Sequence, residues 1–282
     1  KLYFRDKGMF LTSLITPMIL LVLYGTFLGN IYEDSFRSAL DAAGTTVSDA
    51  VIKGCVGGQL VSSLLAVSCV TVAFCSNLLM VQDKVSGARR DLTIAPLSPS
   101  TLALSYYLST LISSLLICLA ATAVCLGYLA IVGWYLSFGD VAAMVLDVIL
   151  LVLFGTALSS CVILPLSTQG QASAVGTIVS AGYGFVCGAY MPISSFSSGL
   201  QKVLSFLPGT YGTSLLRNHA MKGAFAEMSD SGFPQEVMTA IRDSVDCNLY
   251  FFGDKVSLGA MYLILVGSII GLIVLYIAIR AR

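Results

Sequence analysis

Charge is what this chain has least of. Only 11% of its 282 residues are Asp, Glu, Lys or Arg, against about 25% in water-soluble chains. The few charges are also bunched. None lies between Lys7 and Glu33, Lys53 and Asp83, Asp91 and Asp140, Asp147 and Lys202, or Lys255 and Arg280. A soluble domain needs charged side chains over its surface, so these runs exclude one. In lipid, an unpaired charge at mid-bilayer costs about 3 kcal/mol or more, so the same runs are what a membrane demands. The formal net charge of +0 leaves no electrostatic footprint for nucleic acid.

Other absences narrow the chemistry. There is one histidine, His219, with no cysteine or carboxylate beside it at metal-ligand spacing, so it reads as an interfacial polar residue and no metal site is expected. There is no G-x-x-x-x-G-K-[ST] phosphate loop, no H-E-x-x-H, no Ser/His/Asp set and no run of intramembrane carboxylates. No catalytic residue and no cofactor bound by this chain are therefore expected, and the chain cannot hydrolyse ATP by itself. The internal repeat common in secondary transporters is not evident. Six of the eight cysteines (Cys69, Cys75, Cys118, Cys125, Cys161, Cys187) fall in apolar runs, where cysteine behaves as a small hydrophobe. Cys55 and Cys247 fall in watery segments on one face, where a disulfide between them and two unpaired thiols are the alternatives.

What is present is apolar length. Hydrophobic residues make up 57% of the chain and the mean hydropathy is +0.90. A spanning helix needs about 20 apolar residues. Six such spans are expected, at about 10–30, 56–81, 99–132, 141–166, 172–190 and 257–279. Pro96 and Pro99 break the helix before the third, and Pro165 with Gln169–Gln171 separates the fourth from the fifth. The first run is too long for a signal-peptide core and has no cleavage site after it. The chain opens on Lys1, so a natural start upstream is compatible with the pattern.

Six spans put both termini on one side. Lys1, Arg5, Lys7, Lys84, Arg89, Arg90, Arg280 and Arg282 crowd the edges of one face, and most acids fall on the other. By the positive-inside rule both termini are cytoplasmic. The fold class is then an all-α membrane protein, one transmembrane domain over 1–282, crossing the cell (plasma) membrane several times. Residues 82–100 form the main cytoplasmic loop. Residues 191–256 form an outer segment between spans five and six. Its first part, Met191–Met221, is apolar but broken by Pro192, Pro208 and several glycines, and reads as a re-entrant or interfacial hairpin. Its second part, Glu227–Lys255, is acidic and amphipathic and reads as a small lid.

Three features carry functional expectations. In the inner loop, Arg89, Arg90 and Asp91 lead into an apolar knob (Leu92, Ile94, Pro96) that a soluble partner could grip and so lever two spans. In span five, Ala172, Gly176, Ser180, Gly184 and Gly188 place one small residue every four positions, on one helix face. Small residues let helices approach closely in lipid. This seam serves packing within the subunit, a homodimer, or a neighbouring span that moves. Asp147 is the one acid well inside an apolar run, about two turns from the outer end. It either snorkels to water or stands on the wall of a water-lined path. Asn77, near the inner end of span two, could cap a helix, touch a partner or belong to the same path.

The stretches GARRDLTIAPLSPSTLALSYYLST and GYGFVCGAYMPISSFSSGLQKVLSFLPGTYGTSLLRNHAMKG give a resemblance. The chain resembles a permease subunit of a type-2 ATP-binding-cassette (ABC) exporter. The first stretch is similar to the family's charged turn and apolar L-x-x-x-P-[LV]-S core. The second is similar to its glycine-rich span-five exit, P-[IL] break, apolar helix and P-x-T/G-[YH] turn, here Pro192, Ile193, Pro208, Tyr211, Arg217 and Gly223. The acid that many members carry before the apolar core is here Asp91, after two arginines. The resemblance implies two permease chains, self or paralogue, with two cytoplasmic ATPase subunits that carry ATP and magnesium. It implies that residues 82–100 are the coupling helix, that spans two and five line the route, and that Pro192, Pro208 and Tyr211 belong to an outer gate. An uncharged route suits a lipophilic or amphipathic cargo such as a drug, a lipid or a small peptide. Lipid-linked cell-surface polysaccharide is the alternative cargo, and an autonomous secondary transporter the alternative mechanism.

Overall fold

The computed structural model describes residue 19 and residues 21–42, 48–88 and 99–281, and these are mostly helical. A π-helical turn, Tyr24–Leu28, runs into α1 (Gly29–Ala42). Then come α2 (Asp49–Val85), α3 (Pro99–Val132), α4 (Phe138–Ile163) and α5 (Gln169–Val186). A 3-10 turn at Ile193–Ser195 leads to short α6 (Ser198–Leu204), long α7 (Pro208–Asp230) and α8 (Gln235–Ser244). Strands β1 (Tyr250–Phe251) and β2 (Asp254–Lys255) pair antiparallel, and α9 (Leu258–Ala281) ends the chain.

Among the described residues, four helices are long and apolar enough to cross a membrane: α2, α4, α9 and α3 from Thr101 onward. They correspond to the expected spans two, four, six and three. Helix α5, where span five was expected, has 18 residues rich in Gly, Ser and Gln and is not among them. The first part of the first expected span, residues 10–18 with Phe10 included, lies outside the described residues.

The centre of the bundle is α2. At 37 residues it is about 55 Å long, well beyond the ~30 Å hydrocarbon core. It packs against α3, α4, α5 and α7, and nearly all of it from Val51 to Val81 is buried. Its composition permits this. A Cβ on Gly58 would come 2.7 Å from the Ala220 carbonyl oxygen of α7, and one on Gly54 would meet the Tyr135 ring at 2.6 Å. Small residues let these backbones approach as larger ones would not.

Local signals set the ends. Helix α4 begins with a capping box: Ser137 Oγ accepts from the Asp140 amide at 3.2 Å, and the Ser137 amide donates to Asp140 Oδ2 at 3.0 Å. Lys222 of α7 reaches the same Asp140 at 2.9 Å, which ties α7 to the start of α4. Pro208 opens α7 at its first turn, where its missing N–H costs nothing.

Gly223 of α7 lies against the backbone of the α3–α4 connection, so that a Cβ there would strike the Tyr135 carbonyl. Gly223→Ala is expected to lower stability by about 1–3 kcal/mol. Melting of the purified protein in detergent reads this directly. An unchanged melting temperature would mean that the connection yields freely.

Candidate functional site

Among the described residues, the largest fully buried side chain is a charged one. Arg217, in the middle of α7, is 1% exposed. Its guanidinium donates to the Val245 carbonyl at 2.7 Å, to Ser63 Oγ of α2 at 2.9 Å and to the Gly188 carbonyl after α5 at 2.9 Å. Asp246 Oδ2 lies 3.6 Å away. One side chain thus joins α2, the exit of α5, α7 and the segment after α8.

Asp246 completes the cluster from the other side. Its backbone is left-handed, at φ 54°, a conformation that Asp tolerates better than most residues. The carboxylate accepts from the Ile193 amide at 2.5 Å and from the Ser194 amide at 3.2 Å. Burial pushes the Asp246 carboxyl up, against the opposing pull of Arg217 and the two amides. Ser214 donates to the Asp246 carbonyl at 2.8 Å, and Asn218 donates to the Cys247 carbonyl at 2.6 Å. Gly188, at φ 74°, takes a conformation that suits glycine, and a Cβ there would press on Asp246 and Ile193 at 3.0 Å.

The expected gate residues gather beside this cluster. Pro192 caps the 3-10 turn whose first residue, Ile193, Asp246 holds. Tyr211 is buried, donates to the Ser205 carbonyl, and lines with Ile193 and Asp246 a small cavity of about 110 Å3. Pro208 starts α7 one turn earlier.

A second buried group joins α4, α7 and α9. Asp147 is 0% exposed, with His219 Nδ1 2.6 Å from its Oδ2 and the Tyr262 hydroxyl donating to its Oδ1 at 2.6 Å. This corrects two expectations. Asp147 does not snorkel to water, because two side chains inside the bundle satisfy it. His219 is not a solitary interfacial residue, because it is that carboxylate's partner.

A third group lies toward the other end of α2. Asn77 is buried and donates to Ser159 at 3.2 Å and Ser160 at 3.1 Å, while Thr110 donates to it at 3.4 Å. It therefore joins α2, α3 and α4 rather than capping a helix or facing a partner. Beyond it, Lys84 donates to the Leu164 and Leu166 carbonyls at 2.5 and 2.8 Å, and Tyr106 donates to Asp83 at 2.8 Å. The last turn of α2 is thereby tied to α3 and to the end of α4. The connection that follows, with Arg89, Arg90, Asp91, Leu92, Ile94 and Pro96, lies outside the described residues.

The span-five seam is not one continuous open face. Ala172 is buried, and Gly176 has open space where a Cβ would point. The side chain of Ser180 lies outside the described residues. Gly184 packs on the Tyr190 ring of its own chain, and Gly188 is past the helix end in the arginine cluster.

Cys55 and Cys247 are both buried and unbonded. Cys55 Sγ lies 3.9 Å from Met228 Sδ. Burial pushes the Cys247 thiol up to about 12, so it holds little of the thiolate that disulfide chemistry needs.

Sequence reasoning missed the partners rather than the residues. An arginine directly after Leu215 and Leu216 within a helix signals that it needs an internal carboxylate, but nothing local says which. Gly54, Gly58 and Ser62 on α2 repeat the small-residue spacing noticed only in span five.

The family model described as ABC-2 type transporter matches residues 1–220 of the 282. No curated protein matches the chain.

Proposed function

Because the chain belongs to the ABC-2 type transporter family and is thus a membrane permease of an ABC transporter, we propose that it exports a lipophilic or amphipathic cargo, powered by separate ATPase subunits. Two such subunits would carry ATP and magnesium, and a second permease chain would complete the complex in the plasma membrane. Both termini and residues 82–100 face the cytoplasm in this reading. Residues 191–256 face outward.

The observation that carries the reading is the way α2 connects two ends. At its inner end, Asp83 and Lys84 bind it to α3 and α4 on either side of the loop that the ATPase would grip. About 30 Å up the same unbroken helix, Ser63 meets Arg217. Arg217 in turn holds the α5 exit, and its neighbour Asp246 holds the turn after Pro192. Movement of the loop would tilt α2 as a rod and act on the outer cluster, opening or closing the gate at Pro192, Pro208 and Tyr211. This is alternating access by rigid elements with two arrangements. The largely uncharged bundle suits a lipophilic cargo better than an ion.

Arg90→Ala and Leu92→Ala are expected to abolish transport while leaving the melting temperature unchanged, since they remove the grip and no described packing. A mild-detergent pull-down with mass spectrometry is the first measurement. A soluble ATPase that co-purifies with wild type and is lost from both variants supports the reading. A folded chain that brings down no ATPase overturns it.

A further inference from the structure

A hollow of about 310 Å3 opens between α1, α2 and α3, toward the end of α2 remote from Lys84. That lies in the range of small-molecule sites, ~300–1,000 Å3. Its lining is mainly polar. Gly25 of the π-helical turn, Asn30 and Glu33 of α1, Lys53 of α2, and Tyr128 and Ile131 of α3 form its walls. Turns of the π type are rare and recur at functional sites.

The charges on these walls do not satisfy each other. Glu33 and Lys53 line the same hollow, yet they form no ion pair with one another. Both Arg37 bonds to Glu33, at 3.3 and 2.7 Å, go to Oε1, so Oε2 keeps its acceptor capacity. The Lys53 ammonium has no partner among the described residues. A cation and an anion that share one space without meeting fit a ligand carrying both signs. Its ammonium would go to Glu33 and its acid group to Lys53, each by a charge-assisted hydrogen bond.

Depth says where that ligand comes from. On the unbroken α2, Lys53 and Asp83 are 30 residues apart, about 45 Å. On α3, Tyr128 is 22 residues, about 33 Å, from Tyr106, which donates to Asp83. Both helices are long and apolar enough to cross a membrane. A bilayer measures about 40–45 Å with both headgroup layers included. With Asp83 in the headgroup layer of one face, the hollow falls in that of the other. Ile131, on its wall, is 87% exposed and offers an apolar surface where acyl chains begin.

We propose that this hollow binds the headgroup of phosphatidylethanolamine from the bilayer, its primary ammonium donating to Glu33 and its phosphate accepting from Lys53. A choline head carries the same charges but has no N–H to donate, and a glycerol head has no cation. The site needs α2 and α3 as membrane spans and nothing from the transport reading above.

Native mass spectrometry of the purified chain in detergent tests this without any ATPase present. The chain is titrated with phosphatidylethanolamine, phosphatidylcholine or phosphatidylglycerol of identical acyl chains. One phosphatidylethanolamine is expected to bind about tenfold more tightly than either of the others, the worth of one hydrogen bond to a charged group. Lys53→Ala should weaken its binding by about tenfold. Glu33→Gln keeps an acceptor for Arg37 and should cut the preference over phosphatidylcholine to about twofold or less. Lys53 is exposed and Glu33 half-buried, so both variants should melt as wild type does. Lys255→Ala removes an exposed basic residue outside the hollow and should leave binding unchanged. Glycerophosphoethanolamine, the same head without acyl chains, should compete only at about a hundredfold higher concentration. Competition at equal concentration would make a soluble zwitterion the ligand and overturn the lipid assignment. Equal affinity for the three lipids in wild type, or wild-type binding in both Lys53→Ala and Glu33→Gln, overturns the site. None of these results touches the ATPase pull-down, so failure of this site and failure of the permease reading are separable.

Discussion

Arg217→Leu is expected to cost most of the folded protein. The variant leaves Asp246 buried without its cation, and the carbonyls of Val245 and Gly188 and the hydroxyl of Ser63 without their donor. Removing one partner of a buried ion pair costs about 3–5 kcal/mol. Total stabilities are only about 5–15 kcal/mol. Size-exclusion recovery after a heat step would read the loss. Adding Asp246→Asn removes the stranded charge and keeps an acceptor for the Ile193 or Ser194 amide, so the double variant should recover part of it. Acid should help the single variant too. Burial raises the Asp246 carboxyl above its unfolded value, so the folded state takes up the proton more readily, and stability rises as pH falls through the raised value. Arg217→Leu should accordingly melt higher near pH 5 than near pH 7.5. Wild-type stability in the single variant would mean that the outer elements are held by apolar packing and not by this cluster.

Asp147→Ala is the second large effect. It strands His219 Nδ1 and the Tyr262 hydroxyl between α4, α7 and α9. Each of these buried groups left without its partner is expected to cost about 1–3 kcal/mol. Asp147→Asn keeps the shape and one acceptor and should lose less. A double-mutant cycle with His219→Gln should show clear coupling, because the two groups are in direct contact. Thermal melts of the four proteins give the answer. Additive effects, or an Asp147→Ala protein as stable as wild type, would mean that Asp147 is solvated after all.

The two clusters explain why the surroundings of Pro192, Pro208 and Tyr211 and the packing of the distal helices were only partly legible from sequence. Pro192, Pro208 and Tyr211 could be singled out because proline breaks and aromatic turns are local signals. What holds them could not. Asp147 was visible as an acid in an apolar run, yet the balance between snorkelling and burial depends on whether a partner faces it. Its partners lie 72 and 115 residues further along the chain. The seam in span five was read from spacing alone. In the structure two of its members are spent inside the subunit, Gly184 on Tyr190 and Gly188 on Arg217, because the chain turns back directly after α5.

The sequence by itself determined that this is a helical membrane protein, because the constraint acts on every residue separately. Lipid rejects charge wherever it occurs, backbone groups must be satisfied within each span, and proline and glycine mark the breaks. The tertiary structure alone decided that α2 is the buried axis, since that depends on which small residues meet which neighbouring backbone. It also decided that Arg217 with Asp246, and Asp147 with His219 and Tyr262, are the polar joints of the bundle. A buried charge must find its partner in space, and no local rule in the chain says where that partner comes from.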